Sequence, residues 1–195
     1  MPTPAFRNDA NVSPMRSMWV LMFGAFAMAN AKFSIFPLVP TIAADLNSNP
    51  NDILHAVFAY FWGGLLAAPI IAIVFRHWSK PHILALLSVW CFLGNFLTSF
   101  ATSAESLYWL RWFSGIPHAA FLAFATLLIT EVAPANKRGQ YLGLSLIGIS
   151  LSTIFVIPFN TWIGIDYGWQ ISFRFMALLY LLIFLLLTDL LPQNS

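Results

Sequence analysis

Residues 53–101 read ILHAVFAYFWGGLLAAPIIAIVF, then RHWSKP, then HILALLSVWCFLGNFLTSFA: two apolar runs separated by a short break that holds Arg76 and Lys80. Neither run contains an Asp, Glu, Lys or Arg. Each is long enough for a helix to cross the bilayer core, which takes about 20 apolar residues. Outward from this pair the pattern repeats. The runs are Met18–Thr41, Ile53–Phe75, His82–Ala101, Ser106–Val132, Gln140–Ile165 and Trp169–Leu191. The chain is 59% hydrophobic and only 8% charged. A soluble domain of this size has too little interior to hide that much apolar surface. The expected fold is an all-α membrane protein, a six-transmembrane-helix bundle.

The charges between the runs fall on alternate sides. Arg7 and Arg16 precede the first run, Arg76 and Lys80 lie between the second and third, and Lys137 and Arg138 lie between the fourth and fifth. The other connections carry Asp45, Asp52, Glu105 and Asp166 and no Lys or Arg. Cytoplasmic loops retain positive charge, so both termini are expected to be cytoplasmic. The net charge of +2 is then a topology signal, and no basic face remains for nucleic acid. Arg16 precedes an apolar run too long for a cleavable leader, so the first helix is expected to stay as an anchor. Cys91, the single cysteine, lies within the third run and is expected to be a small packing residue.

The expected division is a cytoplasmic tail at 1–17, the bundle at 18–191 and a second cytoplasmic tail at 192–195. Pro37, Pro69, Pro117 and Pro158 fall in the first, second, fourth and fifth runs. They are expected to break those helices. Two three-helix units, each with two broken helices and one plain one, would form a 3+3 inverted repeat of the kind that lines transport pathways. The plain third and sixth helices are rich in Leu and Phe, as lipid-facing helices tend to be. Gly63 and Gly64 with Ala67 and Ala68, then Gly139, Gly143, Gly148 and Ser152, are expected to mark close helix approaches.

Three cations lie within the apolar runs: Lys32, Arg111 and Arg174. Each costs on the order of 2.5–3.5 kcal/mol at mid-membrane on the insertion scale. Arg111 and Arg174 lie roughly 7 Å inside their helix ends, close enough to snorkel. Lys32 is deeper, and no acid lies at its depth. It should therefore face water, a partner chain or an anionic substrate, unless it snorkels or is a neutral amine. Arg111, Gly115 and His118 recur at i, i+4 and i+7 on one helix face. Arg111 and His118 could bind an anion or relay a proton; the plainer alternative is a carbonyl-bonded Arg and a packed His. Asn30, Asn95 and Asn160 are expected to make interhelical hydrogen bonds. Lys32, Arg111, His118 and Asn30 are the candidate pathway residues. Trp19, Trp78, Tyr108, Trp109, Tyr167 and Trp169 suit an aromatic belt at the membrane faces. No catalytic signature, cofactor motif or metal-ligand spacing is found, so an enzyme is not expected.

Four stretches together resemble one family. Phe36-Pro37-Leu38-Val39-Pro40-Thr41-Ile42-Ala43-Ala44-Asp45-Leu46 resembles "LLPxIAxDL". Leu110-Arg111-Trp112-Phe113-Ser114-Gly115-Ile116-Pro117-His118 resembles "RxxxGxPHG". Ala133-Pro134-Ala135-Asn136-Lys137-Arg138-Gly139 resembles "PxxxRG". Pro158, Gly164 and Gly168-Trp169 resemble "PxxxxxGxxxGWR". In this order they resemble the N-terminal six-helix half of a major facilitator superfamily transporter, in the bacterial sugar- and drug-efflux branch that includes arabinose-efflux-type permeases. The resemblance covers about residues 17–192.

It implies a multi-pass protein of the bacterial inner membrane that moves a small solute by alternating access. A six-helix half would need a homodimer partner or a separate second half. The other possibility is an accessory subunit or remnant that no longer transports. The departures bear on this choice. The family's loop between helices two and three reads roughly GxxxDRxGRR. Here Arg76 stands for the Asp and Ser79 for the Gly, while Lys80 keeps a basic residue. That loop helps latch one conformation in the family, so Arg76, Ser79 and Lys80 are the candidate gating residues. Many relatives also carry an acid where this chain has Lys32.

Overall fold

A computed structural model describes residues 14–188. Every described element is helical. Six spans are long and apolar enough to cross a membrane: span 1, Met15–Asp45; span 2, Pro50–Val74; span 3, Lys80–Thr98; span 4, Ala104–Val132; span 5, Ala135–Asp166; and span 6, Trp169–Thr188. The first helix begins at Pro14, inside the segment expected to be tail. The expectations for residues 1–13 and 189–195, including Arg7 and the 192–195 tail, lie outside the described residues.

Local chemistry sets the helix ends. The Asn49 side chain accepts from the Asn51 backbone N–H at 2.9 Å, with Pro50 in the first turn of span 2. Ser103 and Ser106 cap each other reciprocally at the start of span 4. Between spans 5 and 6 the chain reverses at Gly168, whose φ of +101° is one that side-chain-bearing residues rarely adopt.

The packing is a 3+3 arrangement. Span 4 packs against spans 2 and 3, and span 1 against spans 5 and 6; spans 1 and 4 touch, as do spans 3 and 6. Exchanging 1 with 4, 2 with 5 and 3 with 6 reproduces these neighbours. Backbones approach closely where side chains vanish. A Cβ on Gly115 would collide with the carbonyl of Tyr60, and one on Gly148 with that of Met22. Gly139 and Gly143 differ from expectation: nothing lies within 4 Å of where their Cβ atoms would be.

The prolines act unequally. Span 1 breaks at Ser34 and Ile35, passes through a 3₁₀ turn at Phe36–Leu38, and resumes at Val39. Pro37 and Pro40 both lack the N–H that a continuous helix would use there. Span 5 widens to a π turn at Ser152–Val156 just before Pro158. Spans 2 and 4, however, run as continuous helices through Pro69 and Pro117. The breaks therefore do not follow the repeat. Nor are spans 3 and 6 the most exposed. The apolar windows of spans 5 and 2 are only 17% and 33% buried, against 56% and 39% for spans 3 and 6. Spans 3 and 6 cover each other, whereas spans 2 and 5 each rest mainly on one neighbour.

Candidate functional site

Span 4 turns the face bearing Arg111, Gly115 and His118 toward span 2, because Gly115 lets the Tyr60 backbone approach. Arg111 then reaches across the bundle. Its guanidinium lies 4.1 Å from the Tyr60 ring of span 2 and 5.5 Å from Phe173 of span 6. Its Nη2 donates to the Ala31 carbonyl of span 1 at 3.2 Å. The residue is 0% exposed, so it neither snorkels nor lies on an open face. Nε and Nη1 have no protein acceptor. An Arg that stacks on aromatic faces is better solvated than one in hydrocarbon, and here it joins four of the six spans.

Tyr60 continues the cluster outward. Its hydroxyl and His118 Nδ1 share a 2.7 Å hydrogen bond, with the rings 5.0 Å apart. His118 is half-buried and within electrostatic reach of both Arg111 and Lys32. Lys32, also half-buried, holds its ammonium 5.0 Å from the Phe61 ring and 5.1 Å from the Phe33 ring. Arg111 and His118, two turns apart on span 4, thus both contact Tyr60 of span 2, while Lys32 of span 1 lies over the neighbouring Phe61 ring and within electrostatic reach of His118. The fourth candidate, Asn30, is fully buried; its side chain is hydrogen-bonded to Ser34 one turn on, and its Nδ2 has no acceptor.

Only one of the three expected Asn contacts crosses between helices. Asn160 Oδ1 accepts from Ser172 at 3.0 Å, linking spans 5 and 6. Asn95 donates to the Cys91 carbonyl of its own helix at 2.8 Å, and Asn30 stays within span 1. Arg174 is exposed, stacks on Phe100, and its Nε donates to Ser99 at 3.4 Å.

The break between spans 2 and 3 is only partly a loop. Lys80 is the first residue of span 3, is buried, and pairs with Glu131 at the end of span 4 at 2.8 Å. Arg76 is exposed and its Nε donates to His77 Nε2 at 2.9 Å. Ser79 is buried and hydrogen-bonded to His82, in a recess lined also by His77 and Trp78. At the opposite side of the bundle Asp45 accepts from Trp169 Nε1 at 2.8 Å and from Gln170 Nε2 at 3.0 Å. This clamp joins the end of span 1 to the start of span 6. Trp169 is consequently 1% exposed, a bolt and not a belt residue.

Sequence reasoning missed Tyr60 and this clamp. A lone phenol in the middle of the otherwise apolar second run was the available signal for Tyr60. Nothing in the sequence paired Asp45 with Trp169. Among the described residues no group of His, Cys, Asp and Glu is placed to hold a metal ion.

A family model described as Major Facilitator Superfamily matches residues 21–194. The inner membrane transport protein YdhP of Escherichia coli (strain K12) is 28% identical over 153 residues, covering 78% of this chain and 39% of that protein. A probable sugar efflux transporter of Mannheimia succiniciproducens is 26% identical over 174 residues, covering 89% of this chain and 44% of that protein. This chain therefore spans less than half the length of these relatives. Among solved structures, the proton:xylose symporter XylE bound to 6-bromo-6-deoxy-D-glucose superposes with a TM-score of 0.79 at 16% identity, over 90% of this chain and 44% of that one. At that identity the likeness speaks for the fold.

Proposed function

The chain belongs to the major facilitator superfamily, and from that premise we propose that its bundle forms one side of a pathway moving a small solute by alternating access, in the manner of the sugar- and drug-efflux branch. The observation that carries this is the cluster of Lys32, Tyr60 and His118. It gathers polar and cationic groups from three spans within the apolar bundle and leaves Lys32 and His118 half-buried, neither sealed off nor fully in the open. Intramembrane ionisable groups are expensive to keep and mark pathways. Arg111 and Asn30 lie behind them as positioning residues.

In this reading a second six-helix unit faces the cluster, supplied by the same polypeptide, a second copy or another chain, because one bundle encloses no cavity between two units. The Arg76, Ser79 and Lys80 segment is the gating side, and that side is cytoplasmic together with both termini. The setting is the inner membrane of a bacterium, the partners are lipid, the solute and the second unit, and the activity is carriage without catalysis. The similarity to a probable sugar efflux transporter supports this branch.

The test is reconstitution into liposomes, with flux measured for a panel of labelled sugars and amphipathic drugs. Flux lost in Lys32→Ala and His118→Ala at unchanged membrane abundance is the expected outcome. A second reading is favoured by two departures, Arg76 in place of the family's loop acid and Lys32 in place of its helix acid. It makes the bundle a transport-inactive accessory subunit. A two-unit assembly of stated stoichiometry that moves nothing in the panel would decide for it.

A further inference from the structure

The middle of the described bundle has cations and no anion to answer them. Lys32 and Arg111 are the charges there. Asp45 is engaged by Trp169 and Gln170 at one side, and Glu131 by Lys80 at the other. Asp52 and Glu105 lie in the first turns of spans 2 and 4, and Asp166 ends span 5. A cation withdrawn from water without a counter-charge is costly. Arg111 is met by the Ala31 carbonyl and two ring faces. Lys32 is met by ring faces alone: among the described residues it makes no hydrogen bond or ion pair. All three of its N–H donors are open, and it is half-buried, hence reachable.

We propose that the solute taken at this site is a small organic anion, its carboxylate accepting from the Lys32 ammonium and its apolar body lying against Phe61 and Phe33. The proposal rests on the transport reading and sharpens it. The two rings that flank the ammonium supply an apolar wall, so a charged head on an apolar body fits better than a hydroxyl-rich neutral molecule. His118, hydrogen-bonded to Tyr60, adds a second polar group within electrostatic reach of Lys32. The nearby Arg111 charge raises the local potential without competing for the ligand, since it is fully buried. An amine-bearing solute would meet two like charges at low dielectric.

The test uses the full chain, with any second unit that co-purifies, in lipid nanodiscs. Matched sets of carboxylate, amide and amine are titrated by calorimetry, beginning with 3-phenylpropanoate, 3-phenylpropanamide and 3-phenylpropylamine and extending to aliphatic sets. A charge-assisted hydrogen bond predicts at least about tenfold tighter binding of the carboxylate than of its amide, with the amine weakest. Lys32→Arg should keep this order, and Lys32→Gln should bring the carboxylate to the affinity of the amide at unchanged melting temperature. If Lys32→Gln does not fold, the wild-type carboxylate-to-amide ratio decides alone. The proposal is overturned if no carboxylate binds, if amide or amine binds as tightly, or if Lys32→Gln keeps the preference, as when an acid of the second unit already pairs with Lys32. Failure of the transport reading looks different: carboxylate binds but does not cross a sealed vesicle.

Discussion

Replacing Gly115 by Ala adds one methyl group where the structure has no room for it. The new Cβ would collide with the Tyr60 carbonyl oxygen and lie 2.7 Å and 2.8 Å from the Tyr60 carbonyl carbon and Cα. Ordinary carbon contacts are about 3.5 Å, and all three obstructing atoms are backbone, so no rotamer change relieves the overlap. Spans 2 and 4 must part by close to 1 Å at their tightest point. That movement also draws Tyr60 away from Arg111 and His118. Overpacking of this kind costs about 1–3 kcal/mol, and the loosened stacking adds to it. For a chain of this length each kcal/mol lowers the melting temperature by about 2–4 °C, so a fall of roughly 2–12 °C is expected. Cys91 supplies the assay: it is buried, so a thiol-reactive dye reports unfolding in detergent. Gly143→Ala is the control. Its Cβ meets nothing within 4 Å, and the gain in helix propensity is worth up to about 1 kcal/mol, so it should melt at or slightly above wild type. Equal melting of Gly115→Ala and wild type, or equal damage from both substitutions, would refute the packing argument.

Three further outcomes are expected. In intact cells, cysteines placed at Asn49, Ser103 and Asp166 in a Cys91→Ser background should react with an impermeant maleimide and one at Asn136 should not; labelling at Asn136 would reverse the orientation. In mild detergent, cross-linking and light scattering should find the bundle as a dimer or with a second membrane unit, whereas robust flux by a proven lone bundle in liposomes would remove the need for one. Asp45→Ala should lower the melting temperature by about 2–12 °C, because it leaves the buried Trp169 N–H without its acceptor at a cost of about 1–3 kcal/mol; Asp45→Asn, which keeps an acceptor oxygen, should lose less.

The spans were legible because the membrane imposes a one-dimensional rule: an apolar run of fixed length must be a helix. Span 2 satisfies that rule whatever it touches. Proline was less legible for the same reason. A missing N–H removes one hydrogen bond but need not end a helix, and spans 2 and 4 stay helical through Pro69 and Pro117. Lipid exposure was misjudged from Leu and Phe content, since a Leu facing lipid and a Leu facing another helix are the same residue to the sequence. Gly139 and Gly143 show this too: spacing permits a close approach but does not supply the partner.

Arg111 marks the boundary between what sequence ranks and what structure places. Its charge inside an apolar run singled it out, and its i+7 spacing to His118 put both on one face. Where that face pointed depended on Gly115 admitting Tyr60 and on Ala31, 80 residues earlier in the chain, presenting its carbonyl. Those long-range contacts bury Arg111 completely and leave Lys32, half-buried, as the cation that meets the solute in the proposed reading. The assignment has a direct consequence. Arg111→Lys keeps the charge but loses the planar stack on Tyr60 and Phe173. It should therefore cost stability in the dye assay while leaving the carboxylate preference at Lys32 within about threefold of wild type, a span of well under 1.4 kcal/mol. If Arg111→Lys instead abolishes that preference in protein that melts like wild type, Arg111 touches the solute and the division of labour drawn between the two cations is wrong.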